Sequence, residues 1–273
     1  NIPLTLRLRG AIDVDALTRA FDELVRRHEV LRSRYTAEGG RPIQIVRPEG
    51  NYGFEVIDLT HRSQTQQCAE LTGISEHEAR DGFDLASGVL LRVKLVRLSA
   101  EEYFLFITMH HIASDGWSVN VLLRELSVLY EALSSGRPDP LEPLRIQYAD
   151  FSVWQREFLG GARLERLVAY WRAKLEGVQP LPLPLDHERP RIQQFDGAAE
   201  RVLLPKIMVD RLLDVGRREG VTLFVLLLSA FQLLLSRFTG ARDIAVATGV
   251  AGRGSSELER LIGSFVNMLI VRT

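Results

Sequence analysis

Apolar residues at Val14, Leu17, Phe21, Leu24 and Val25 recur at helical spacing behind Asp13 and Asp15, either of which can cap the start, so a helix is predicted over 14–28. The residues before it, 1–10, read as a strand. Segments near 31–36 and 42–47 alternate on either side of Gly39 and Gly40, a pair suited to a hairpin turn that needs positive φ. The polar stretch 65–85 predicts one or more helices, and 87–111 reads as two long strands around a short turn. The second of these strands, Tyr103 to Met109, is apolar on both faces, which predicts a place inside a sheet covered on each side. From Trp117 onward, Leu122, Leu126, Leu129 and Leu133 mark a helix that Gly136 and Pro138 bring to an end. Further helices are expected over 146–159, 163–175, 206–219 and 222–238, and strands over 199–204, 243–249 and 265–272. The run 221–238 is the nearest to a membrane span, but Ser229, Gln232, Ser236 and Arg237 interrupt it, so it predicts a buried helix.

One stretch, 179–197, is rich in proline and free of periodicity, which predicts a lobe at 1–178, a linker at 179–198 and a second lobe at 199–273. Strands flanked by helices in both halves argue for an α/β protein with two mixed-sheet lobes and a site between them. The size fits this reading: 273 residues, 46% hydrophobic, can bury one large core or two modest ones. With 34 Lys+Arg against 35 Asp+Glu the chain has no overall attraction for polyphosphate or an anionic membrane, so neither nucleic acid nor membrane is an expected partner. Cys68 is the single cysteine, which removes an internal disulfide framework and fits a cytoplasmic location. The first residues have neither a basic n-region nor a cleavage site, and both ends look cut, so the expectation is part of a larger unit.

The chemistry concentrates in His110-His111-Ile112-Ala113-Ser114-Asp115-Gly116, where two histidines end a buried strand and an Asp-Gly pair opens a helix. Adjacent strand residues face opposite ways, so the pair divides into one chemical and one packing histidine, and alternation alone does not say which. Asp115 suits a helix start whatever the protein does, and Gly116 suits positive φ or a close backbone approach. A zinc site is a weaker reading, because neighbouring rings cannot easily aim at one ion. No Gly-x-Ser-x-Gly elbow supports a serine triad.

With MHHIASDGWS in view, the chain resembles the condensation-domain superfamily of nonribosomal peptide synthetases, whose signature is two histidines, three variable residues, aspartate and glycine. Arg27-His28-Glu29-Val30-Leu31-Arg32 is similar to the family's RHExLR segment, YADFSVWQ at 148–155 to its tyrosine, aspartate and tryptophan motif, and IGSFVNMLIVR at 262–272 to its IGxFVNxLxLR motif. DGFDLASGVLLRVKL at 81–95 matches the FDL strand entry except that Val89 replaces a proline. The matches run in family order, while the family's opening segment and everything past the last motif are missing. The resemblance implies two chloramphenicol-acetyltransferase-like lobes in a V-shaped pseudo-dimer, the second lobe incomplete here, with a tunnel at the junction. It also implies amide formation between a donor acyl or peptidyl thioester and an acceptor aminoacyl thioester. Both would ride on phosphopantetheine arms of upstream and downstream peptidyl carrier proteins, beside an adenylation domain, with no cofactor bound by the domain itself.

Within that frame His111 is the expected catalytic residue, since an α-amine titrating near about 8 must lose a proton during attack and an imidazole near about 6.5 can accept one. His110, Asp115 and Gly116 are expected to shape the site, the aspartate pairing with Arg27 or Arg32, and Asn267 is a possible contact from the second lobe. Gly-Trp-Ser after Asp115 looks like the type that takes an L-configured donor. Epimerisation, carrier-free acyl transfer and silent recruitment of another enzyme are the alternatives.

Overall fold

The structure, a computed structural model, describes residues 1–187, 190–192 and 197–273. Two compact units emerge, one of residues 1–161 with 250–267, the other of 162–249 with 268–273. These borders differ from those expected from proline content, because segment 250–267 packs with the first unit although it follows the second in sequence. Part of the expected linker, 188–189 and 193–196, lies outside the described residues.

The first unit runs through β1 (Ile2–Arg9), α1 (Val14–Arg27), a 3-10 turn (Glu29–Arg32), the hairpin of β2 (Ser33–Glu38) and β3 (Arg41–Val46), and β4 (Gly53–Asp58). It continues through α2 (Gln64–Arg80), β5 (Leu91–Arg97), β6 (Glu102–Met109), α3 (Gly116–Ser134) and α4 (Tyr148–Phe158). Strands β1, β6, β5 and β4 lie side by side in that order: β6 is antiparallel to both neighbours, with Met109 opposite Ile2 and Leu91, while β4 runs parallel to β5. The sheet is therefore mixed. Helix α2 is the crossover that a parallel β4–β5 pair requires, and Ser63 starts it through a reciprocal capping box with Gln66.

Alternation along β5 and β6 assigns the two faces. Leu91, Val93, Leu95, Leu105, Ile107 and Met109 join Phe21, Leu24, Leu122 and Leu129 of α1 and α3 in the main core. Val96 and Phe106 turn the other way, onto Leu71 and Ile74 of α2. The central strand is thus covered on both sides, as apolar residues on both of its faces predict, and the burial of five apolar side chains along it contributes on the order of 10 kcal/mol. Asp13, rather than Asp15, caps α1 by accepting from the Ala16 N–H.

The second unit carries α5 (Gly161–Leu175), α6 (Lys206–Glu219), α7 (Leu223–Thr239), β7 (Ala245–Val250) and β8 (Asn267–Arg272), the two strands paired with each other. Two expectations fail, and one strand was not foreseen. Strand β4 carries no strong apolar alternation and has no counterpart among the expected strands; it forms because β5 offers it a ladder. Residues 199–204 form no strand, and Val202 and Leu203 stand 82% and 92% exposed, because no described strand pairs with them. Helix α7 is not a buried helix: Gln232 alone is buried, while Leu233 and Phe238 are 60% and 65% exposed, since a two-stranded sheet covers only part of its surface. No single helix among the described residues is long and apolar enough to cross a membrane.

Candidate active site at the double-histidine turn

Strand β6 ends at Met109, and the His110 N–H gives the last ladder bond to the Leu90 carbonyl at 3.0 Å. Two positions past Thr108, His110 stays on the α2 side of the sheet, half-buried, with its ring edge-on to Phe83 at 5.7 Å between centroids. Its Nδ1 accepts the Ile112 N–H at 2.9 Å, so the neutral ring carries its proton on Nε2. Burial, reinforced by neighbouring positive charge, holds His110 below the ordinary imidazole range. Bonds from Ala113 N–H and Ser114 Oγ–H to the His110 carbonyl then close the turn. His111 lies at the turn's start, exposed. The two rings therefore differ in surroundings: His110 packs on Phe83 and is hydrogen-bonded, and His111 is exposed.

Asp115 follows as the N-cap of α3, fully buried, with both oxygens engaged. Oδ1 accepts from Ser118 N–H at 2.8 Å, Ser118 Oγ–H at 2.7 Å and Arg253 Nη2 at 3.0 Å; Oδ2 accepts from the Phe265 N–H at 3.0 Å. The expected arginine partner exists, but it is neither Arg27 nor Arg32. Arg27 is drawn to Glu125 and the Glu142 carbonyl, and Arg32 to Glu29 and the Arg47 carbonyl, so each already has its own acceptors. The Arg253 side chain is 1% exposed, rests on the Phe265 ring at 4.0 Å and also donates to the Leu258 and Leu261 carbonyls. Burial lowers its pKa from the ordinary guanidinium value, while Asp115 works in the opposite direction.

Sequence reasoning missed Arg253 and Ser118. Ser118 Oγ, whose proton goes to Asp115, accepts from the Gly263 N–H at 3.0 Å. Trp117 Nε1–H donates to the Glu259 carbonyl and Tyr148 Oη–H to that of Ser264, so 253–265 is tied to the starts of α3 and α4 at five residues. The available signal was the glycine pair around Arg253: Gly252 has φ +67°, and a Cβ there would meet the Phe265 carbonyl oxygen at 2.1 Å. Gly116, by contrast, has neither positive φ nor a close neighbour, so the steric role expected for it is not found among the described residues; it is the first residue of α3.

A second buried cluster braces the same segment. His28 Nε2 lies 2.8 Å from Glu125 Oε2, and its Nδ1 faces the Ile262 N–H at 3.3 Å. Burial lowers the His28 pKa in spite of Glu125. Burial pushes Glu125 the other way, upward, but its bonds to His28 and Arg27 outweigh that and hold it below the usual carboxylate range. Asn267 opens β8 with an exposed side chain. Among the described residues no group of three or more His, Cys, Asp or Glu is placed to hold a metal ion.

A central mixed sheet delivers a paired-histidine turn to a capped helix in an α/β protein, an arrangement consistent with the chloramphenicol-acetyltransferase-like fold that the resemblance implies. The Condensation domain family model matches residues 1–273, and the chain belongs to that family. It is 44% identical over 274 residues to one of the subunits of linear gramicidin synthase from Brevibacillus parabrevis, covering 100% of this chain and 5% of that one, so it spans a small part of that relative's length. Among solved structures it is similar to SgcC5 protein from Streptomyces globisporus (31% identity, TM-score 0.80), covering all of this chain and 61% of that one. It is likewise similar to the X-domain solved in complex with OxyB from teicoplanin biosynthesis (28% identity, TM-score 0.85), covering 100% and 60%.

Proposed function

We propose that this chain forms amide bonds in a cytoplasmic nonribosomal peptide assembly line, joining a donor acyl or peptidyl thioester on one peptidyl carrier to the amine of an aminoacyl thioester on the next. A thioester is already activated, so holding the amine against its carbonyl supplies much of the acceleration without ATP or a covalent nucleophile. The amine lone pair attacks the carbonyl carbon, a C–N bond forms, and the C–S bond breaks to release the pantetheine thiolate. The His111 imidazole takes the amine proton or orders the amine and the tetrahedral oxyanion, and the released thiolate is the final proton acceptor. Asp115 and Arg253 act on the turn that carries His111.

The observation that carries this reading is the contrast within the pair: His110 is committed to Ile112 and Phe83, whereas His111 is exposed on a turn held by a buried four-donor carboxylate. Trp117 and Ser118 after Asp115-Gly116 support an L-configured donor. The test is mass spectrometry of the synthetase that contains this domain, supplied with carriers loaded with the amino acids its adenylation domains select. Amide product supports the reading. Inverted stereochemistry, ester, or binding of a partner enzyme without product would each replace it.

A further inference from the structure

We infer that Phe83, held by Arg92, is a positioning residue for the histidine pair; this rests on the amide-forming role given above. Arg92 belongs to β5 opposite Thr108, so it emerges on the same face of the sheet as His110, two residues beyond Thr108. Its guanidinium fastens the end of α2 and the loop that follows: Nε donates to Glu78 Oε2 at 3.0 Å, Nη1 to Asp81 Oδ2 at 3.1 Å and to the Gly82 carbonyl at 3.0 Å, and Nη2 to the Asp81 carbonyl at 3.0 Å. Glu78 is itself 3% exposed and receives Lys94 Nζ at 3.1 Å, so the anchor is rigid. The loop so fastened delivers Phe83, whose ring lies 4.1 Å from the Arg92 carbon and perpendicular to the His110 ring.

An aromatic edge fixes a ring's orientation in a way that an aliphatic side chain does not. With Phe83 in place, His110 Nδ1 stays on the Ile112 N–H, and that bond sets the first residues of the turn from which His111 projects. The stack therefore transmits the geometry of α2 and β5 to His111 without touching substrate. The hydrophobic pattern does not signal this role, and Phe83 enters the sequence reading only as the first residue of the FDL segment.

The test compares Phe83→Leu with Phe83→Tyr, which keeps the ring. Two measurements are made on each: histidine-selective nitrogen NMR at pH 8, and amide formation by the synthetase with loaded carriers. Phe83→Leu is expected to mix the two His110 tautomers and to lower the maximal rate about tenfold, equivalent to about 1.4 kcal/mol of barrier, with the concentration of acceptor carrier at half-maximal rate unchanged. Phe83→Tyr restores both. A wild-type His110 spectrum with undiminished turnover in Phe83→Leu overturns the inference, as does a Phe83→Tyr variant no better than Phe83→Leu. If the wild-type synthetase forms no amide while Phe83→Leu still mixes the tautomers, the functional reading fails and the positioning of His110 stands.

Discussion

Asp115 receives Arg253, Ser118 and Phe265, residues up to 150 positions apart, and its burial decides what its removal does. Asp115→Ala leaves Arg253 charged, nine-tenths or more buried and short of its partner, a situation that costs about 3–5 kcal/mol. Urea unfolding is expected to show that loss together with loss of activity, whereas a stable, inactive protein would give Asp115 a direct chemical role. His28 makes a pH prediction. Its pKa is lowered in the folded chain, so the unfolded chain holds more protons on it, and its contribution is complete above about pH 6.5 and is lost as the pH falls below that. Glu125, also lowered, adds its loss at more acidic pH. Wild-type stability is expected to fall between about pH 7.5 and 5.5 by no more than about 1.4 kcal/mol per pH unit for each proton taken up, and His28→Gln to flatten part of that slope. Equal slopes in the two proteins would contradict the assignment. At this scale His110, His111 and Asp115 were legible because they crowd into one strand-to-helix turn. Arg253 was not, since the contact joining it to Asp115 spans 138 residues and follows from tertiary packing alone.

Elements with strong periodicity stood out in the sequence, and those whose existence depends on a neighbour did not. Helices α1 and α3 each bury one apolar stripe, and β6 is apolar on both faces, so sequence and packing agree there. Strand β4 has the alternate outcome: only its pairing with β5 makes it a strand, and no local pattern announces a parallel partner. Residues 199–204 show the reverse, a segment expected as a strand that finds no ladder. The segment from 253 to 265 has almost no regular structure, yet its hydrogen bonds to Asp115, Trp117, Ser118, Tyr148 and His28 join it to the site. Gly252→Ala tests that element. The added methyl meets the Phe265 carbonyl and an unfavourable φ together, so a destabilisation of about 2–4 kcal/mol is expected in thermal or urea unfolding. Gly116→Ala, which meets open space at the first position of α3, is expected to fold with wild-type stability. A reversed order of the two variants would refute the packing of the segment.

Across the whole molecule, the first unit has a continuous core between α1, α3 and the sheet, whereas the second displays apolar side chains along α7. The double-histidine turn belongs to the first unit together with the segment that buttresses it, so the proposed chemistry falls on the best-packed part of the protein. His111 is exposed, and its removal leaves that packing intact. Amide formation by the synthetase carrying His111→Ala, followed by mass spectrometry with loaded donor and acceptor carriers, is therefore the most direct measurement. A fall of about 10²- to 10⁴-fold with an unchanged melting temperature is the expected result, and turnover close to wild type in the folded variant would contradict it.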